Sequence, residues 1–165
     1  MPYTTLVYLS RKPGMTPDAF AQYYTHSHLQ LIRQLSGPAF PRLHTQHYIK
    51  RHSSSIPAAK SAIDASGYAS TMSSDTDTAS NENANTARNA NTPAVVLLGS
   101  QAEFDYDCVA TLQYDSEDAF KAFYETIQKP ENWSRIIEDE ENFLDRSQTR
   151  VVVLGDVVEL RPLAQ

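Results

Sequence analysis

Of the five histidines in this chain, four lie in two short runs, Thr25-His26-Ser27-His28 and His44-Thr45-Gln46-His47. An imidazole titrates near neutrality and burial favours its neutral form, so a histidine drawn into an apolar setting is a candidate acid or base. At helical spacing Phe20, Ala21, Tyr24, His28, Leu31 and Leu35 share one stripe, with His26 opposite beside Gln22, Leu29 and Arg33. His28 is therefore the inward candidate and His26 the outward one. The alternative for His28 is a core ring whose nitrogens are satisfied by backbone groups. In the second run, alternation sends His44 with Gln46 and Tyr48 to one strand face, and His47 with Leu43 and Ile49 to the other. Only one of the two can meet His28, and spacing does not say which.

The carboxylates to consider are Glu140 and Asp107. Glu140 falls in the middle of an apolar helical stripe of Trp133, Ile136, Ile137, Phe143 and Leu144, with Asp139 toward its edge. A carboxylate on such a face needs a partner, so Glu140 is a candidate to assist an inward histidine; if the helix breaks within 138–142, it is simply solvated. Asp107, between Tyr106 and Cys108, is either an inward pocket carboxylate or an ordinary outward residue. No metal site is expected. No His-x-x-x-His pair sits on a helix, His26 and His28 diverge, and Cys108 is the single cysteine. A phosphate loop, a Gly-x-Ser-x-Gly elbow and a dinucleotide fingerprint are all absent from the sequence, so catalysis here would be cofactor-free acid/base work.

These residues need elements to hold them. Tyr3 to Ser10 is β-branched and aromatic and stops at Lys12-Pro13-Gly14, which predicts a first strand. Thr16-Pro17-Asp18 supplies a cap, a first-turn proline and a first-turn acid for a helix over about 17–35, closed by Gly37-Pro38. Arg42 to Lys50 reads as a second strand. From about 51 to 94 the chain turns to Ser, Ala, Thr, Asn and Asp, a composition that buries too little to offset its ordering entropy; it is an insertion, either disordered or a lid. A short apolar run at 95–99 precedes a third strand over Phe104 to Tyr114. Helices follow, one begun by Asp115-Ser116-Glu117-Asp118 and one over Pro130 to about Phe143, and then a last strand over 149–160.

The order predicts an α+β, ferredoxin-like βαββαβ domain, one antiparallel sheet with helices on one face, spanning 1–165 as a single domain. Apolar residues on both sides of strands one and four predict a second copy of the chain over the open face, hence a homodimer. A formal charge of -6 with scattered Lys and Arg argues against nucleic acid or an anionic membrane as partner. The lone cysteine, the N-terminal pattern and the lack of a long apolar run predict a cytoplasmic chain that neither crosses nor binds a membrane.

The run Tyr8-Leu9-Ser10-Arg11-Lys12-Pro13-Gly14-Met15-Thr16-Pro17-Asp18-Ala19-Phe20-Ala21-Gln22-Tyr23-Tyr24-Thr25-His26-Ser27-His28 resembles the EthD-domain signature: a strand, a Lys-Pro-Gly turn, then Phe-x-x-Tyr-aromatic ending in a histidine. Asp107 to Phe120 and Ile137 to Asp145 resemble the second signature of that family. The resemblance implies a homodimeric α/β barrel with a pocket between each subunit's helices and sheet. Similar proteins of fungal polyketide pathways are associated with dehydration, decarboxylation or cyclisation of aromatic polyketide intermediates, and relatives of the same fold include cofactor-free quinol monooxygenases. His28 matches the family histidine, and Tyr24 stands where many members have tryptophan. The expectation that follows is a cofactor-free lyase-type tailoring enzyme. His28 moves a proton, His44 or Glu140 assists, and Phe20, Tyr24, Tyr48, Trp133 and Phe143, with His47 and Asp107, are candidates to bind an aromatic substrate. The alternatives are an anthrone or quinol monooxygenase and a non-catalytic small-molecule-binding module.

Overall fold

A computed structural model of the protein describes residues 2–52, 89–156 and 158. The chain forms two compact units, one of residues 1–49 with 106–165 and one of residues 50–105.

In the first unit, strand β1 (Tyr3–Leu9) leads through the Lys-Pro-Gly turn, where Gly14 takes a φ of 83° that other residues rarely adopt, into helix α1 (Pro17–Tyr23). Thr16 caps α1 by accepting from the amide of Ala19 at 3.2 Å, and Pro17 stands in its first turn, as predicted. The helix does not continue in one register. Tyr24–His28 form a turn of π-helix, in which the amide of Leu29 donates to the carbonyl of Tyr24, before α2 (Leu29–Ser36) resumes and Gly37 (φ 52°) ends it. Strands β2 (Leu43–Tyr48) and β3 (Cys108–Tyr114), helices α3 (Glu117–Ile127) and α4 (Pro130–Glu140), and strand β4 (Arg150–Val153) complete the unit.

The strands lie in the order β2-β3-β1-β4, each neighbour antiparallel, which is the ferredoxin-like arrangement. The register sets Val7 beside Ala110 and Leu9 beside Cys108, and it sets Gln46 beside Ala110 and Tyr48 beside Cys108. The helices cover this face. Leu9, Phe20, Tyr24, Cys108, Ala110, Phe143 and Leu144 form one buried cluster, with Val7, Leu29 and Leu112 packed against it. Farther along, Phe120 stacks on Tyr3 and α3 sets Phe123 against Tyr114. Burial pushes the Cys108 thiol up to about 12, so it behaves as a small apolar residue.

Three predicted boundaries move. The third strand begins at Cys108 rather than Phe104, since Gln101–Phe104 make a short 3-10 turn held by a reciprocal cap between Ser100 and Glu103. Helix α4 stops at Glu140 rather than Phe143, because the chain turns there to send Phe143 into the core. The last strand ends at Val153; residues 154–156 and 158 are not strand, and 157, 159 and 160 lie outside the described residues. Leu29, predicted on the outward face with His26, packs against the core, because the π turn shifts the phase of everything after it.

In the second unit an isolated antiparallel bridge joins Arg51 and Ala94, flanked by amide bonds from Val95 to Lys50 (2.8 Å) and from His52 to Pro93 (2.9 Å). The Gln101 side chain accepts from the amide of Ala94 at 2.8 Å and donates to its carbonyl at 2.7 Å, closing this small knot. The C-terminal end of the predicted insertion is thus tied back to its start, while 53–88 lie outside the described residues. The apolar run that follows turns outward, with Leu97 97% and Leu98 89% exposed. Among the described residues no helix is long and apolar enough to cross a membrane.

Candidate active site

The site grows from the π turn. His28 is buried, with its side chain 10% exposed, and its ring centroid lies 5.0 Å from that of Phe143 and 5.7 Å from that of Tyr24. Its Nδ1 stands 2.7 Å from Oδ2 of Asp139 on α4. An ionised carboxylate only accepts, so the shared proton belongs to Nδ1, and a neutral ring then carries its lone pair on Nε2. Nε2 makes no hydrogen bond among the described residues. A base oriented from behind by a carboxylate is an arrangement suited to taking and returning a proton. The other oxygen of Asp139 accepts from the Tyr23 hydroxyl at 2.9 Å, a bond that, after burial, helps push the Tyr23 phenol up.

The partner differs from the one expected. Ile136 is 2% exposed, and residues three and four positions after it both lie over the same helix face. Asp139 takes His28, whereas Glu140 turns to Arg146, whose Nε donates to Oε2 at 2.7 Å and whose guanidinium lies 5.7 Å from the centroid of Trp133. Glu140 stays within electrostatic reach of His28. Burial raises its pKa, against the opposing pull of His28 and Arg146. It is thus a half-buried carboxyl near His28, the reverse of the solvated acid that a broken helix would leave.

On the sheet side β2 settles the choice between its two histidines. His44 faces the helices, its Nε2 3.2 Å from the Tyr24 hydroxyl, while His47 is exposed on the opposite face, across from Val109. His47 therefore does not join the cluster around His28, for the plain reason of strand alternation. Burial, and secondarily the neighbouring His28, lowers the pKa of His44 to about 4, so its ring is neutral at physiological pH. Burial holds the Tyr24 phenol well above its ordinary value, and a neutral phenol and a neutral imidazole share one hydrogen. Nδ1 of His44 and Nε2 of Gln46 are buried without a hydrogen-bond partner among the described residues. Tyr48 is linked to Thr25 of the π turn at 2.9 Å, and Thr25 also donates to Oε1 of Gln46 at 3.1 Å.

The remaining candidates divide. Phe20 and Phe143 are fully buried and form the wall behind Tyr24 and His28; Trp133 is 36% exposed at the outer rim of α4. Asp107 is inward, but its carboxylate is engaged by the amide of Arg11 at 2.8 Å and by the Arg11 guanidinium, in an ion pair that is 2% exposed on each side. It is a structural ion pair rather than part of the histidine cluster. Asp139 and Tyr23 were not singled out from sequence as the groups around His28. Regular helical spacing hides Tyr23, since residues five apart sit about 140° apart around an α-helix. Among the described residues no group of three His, Cys, Asp or Glu is placed to hold a metal ion.

Comparison with known proteins agrees with the signatures read from sequence. No curated protein matches the chain. A crystal structure of an ethyl tert-butyl ether d (EthD) family protein from Bacillus halodurans is similar over 94% of this chain and 99% of that one, at 12% identity and a TM-score of 0.46. The model of the EthD domain matches residues 12–147, a span that holds the Lys-Pro-Gly turn, the π turn with His28, and Asp139. The chain belongs to the EthD domain family.

Proposed function

We propose that this protein is a cofactor-free lyase of the dehydratase, decarboxylase or cyclase type, acting on an aromatic polyketide intermediate, with His28 as its acid/base group. The observation that carries the reading is the 2.7 Å bond from His28 Nδ1 to Asp139, formed against the buried ring of Phe143. In a dehydration, Nε2 takes a proton from a carbon next to a carbonyl, the C–H electron pair passes into an enolate, and the enolate expels a β-hydroxyl. The proton taken by Nε2 passes to the departing hydroxyl, which leaves as water and restores the neutral ring. Glu140, half-buried within electrostatic reach of His28 and paired with Arg146, is the candidate to assist. Tyr48 and the rim residue Trp133, 39% and 36% exposed, are the aromatic candidates open to a flat substrate, and the buried rings of Tyr24 and Phe143 pack behind them as support.

The test is to incubate the protein and its His28→Ala variant with hydroxylated polyketides and anthrones, under air and under nitrogen, and to follow product masses. Loss of water or carbon dioxide that vanishes in the variant supports lyase chemistry at His28. Oxygen-dependent mass gain would replace it with a monooxygenase, and unchanged ligand that still binds would replace it with a binding module.

The same reading includes a cytoplasmic homodimer. Leu6, Tyr8, Val109 and Val152 lie on the sheet face away from the helices, and Val152 is 48% exposed. A second copy of the chain covers that face in the proposed assembly. Sedimentation of a monomer at micromolar concentration would overturn it.

A further inference from the structure

The π turn does more than bend a helix, because it changes which residues are neighbours. In a regular α-helix Tyr23 and His28, five positions apart, would be about 140° apart and could not reach one acceptor. A π turn closes its hydrogen bonds between residues five apart and so brings residues at that spacing closer to one face, and the bond from the Leu29 amide to the Tyr24 carbonyl shows that spacing here. The result is that Tyr23 and His28 address the two oxygens of one carboxylate: the Tyr23 hydroxyl meets Oδ1 of Asp139 at 2.9 Å, and His28 Nδ1 meets Oδ2 at 2.7 Å. The Tyr23 ring itself is fixed by stacking on Phe143, with centroids 5.1 Å apart.

We infer that Tyr23 is a positioning residue for His28: through the π turn its hydroxyl holds the Asp139 carboxylate in the plane that keeps the proton on Nδ1 and the lone pair on Nε2. Its consequence for turnover rests on the acid/base reading above, whereas the positioning itself does not. A carboxylate held at one oxygen only is free to rotate about its χ2 torsion, which is broad and roughly two-fold, and rotation breaks the bond to His28. With both oxygens held, the orientation is set before any substrate arrives.

The test is nitrogen-15 NMR of the His28 ring in the protein and in Tyr23→Phe, at a pH where the ring is neutral. The expected pattern in the unmodified protein is that of the Nδ1–H tautomer, with a slowly exchanging Nδ1 proton. In Tyr23→Phe, which keeps the ring on Phe143 and removes only the hydroxyl, the two nitrogen shifts move toward each other and that proton exchanges roughly tenfold faster. An unchanged tautomer pattern and exchange rate in Tyr23→Phe would overturn the inference. So would a predominant Nε2–H tautomer in the unmodified protein, a result that needs no variant to fold. Where the unmodified protein turns over a substrate, Tyr23→Phe lowers kcat with KM little changed. Where it turns over none, the lyase reading fails while the NMR result still decides the role of Tyr23.

Discussion

Acidification tests the electrostatics of the site without any substrate. A free histidine titrates near 6.5, and the pKa of His44 is lowered to about 4 in the folded protein, first by burial and then by His28. The unfolded chain therefore binds a proton on this residue at a higher pH than the native state does. Stability rises with pH wherever the unfolded state binds more protons, so the contribution of His44 is fully present above 6.5 and is lost as pH falls toward 4. By pH 4.5 the loss amounts to about 2.5 kcal/mol, at about 1.4 kcal/mol per pH unit over the interval. The assay is urea unfolding at pH 7 and pH 4.5, of the protein and of His44→Gln. The variant keeps a polar partner for the Tyr24 hydroxyl and removes the titration. Other groups titrate in both proteins, so the measured quantity is the difference between them: the variant should lose about 2.5 kcal/mol less on acidification. Equal losses would refute the burial of a neutral His44 ring against Tyr24.

Asp107→Ala removes a buried carboxylate that accepts from both the amide and the guanidinium of Arg11, and should lower stability by about 1.5–3 kcal/mol in the same unfolding assay; a loss under about 1 kcal/mol would show that the pair is not closed to solvent. His28→Ala should lower turnover of any accepted substrate by about 10²- to 10⁴-fold, the usual scale for an acid/base group, while circular dichroism remains that of the folded protein. In the proposed homodimer Leu6 lies on the covered sheet face, so Leu6→Lys should shift sedimentation from dimer to monomer; a monomeric wild-type protein, or a variant that stays dimeric, would overturn that assembly.

Much of the fold is local chemistry and was legible in the chain. Thr16, Pro17 and Asp18 start α1 through backbone amides and the helix dipole, and Gly37 ends α2 because it alone takes a positive φ without strain. The alternation of Cys108, Ala110, Leu112 and Tyr114 marks the inner face of β3, and the two EthD signatures order the elements around it. His28 was legible as the inward histidine, since Tyr24 and His28 share a face at helical spacing and the π turn preserves that neighbourhood.

The partners of His28 were settled only in three dimensions. Helical periodicity assumes one angle per residue, and five residues of π-helix break that assumption, which hides Tyr23 from the stripe that contains His28 and brings Leu29 inward. Asp139 and Glu140 differ by one step on α4, too little for a pattern to choose between them; the choice falls to Arg146, which draws Glu140 away, and to the π turn, which aims His28 at Asp139. His44 and His47 are equivalent in type and symmetric about the strand, and only the pairing of β2 with β3 assigns one to the helices and the other to the open face. The sequence by itself determined which residue types were available and which elements would carry them, because capping, turn conformation and strand alternation act between near neighbours. The tertiary structure decided which carboxylate meets which ring, because that depends on the phase of one helix against another, a quantity no local pattern contains.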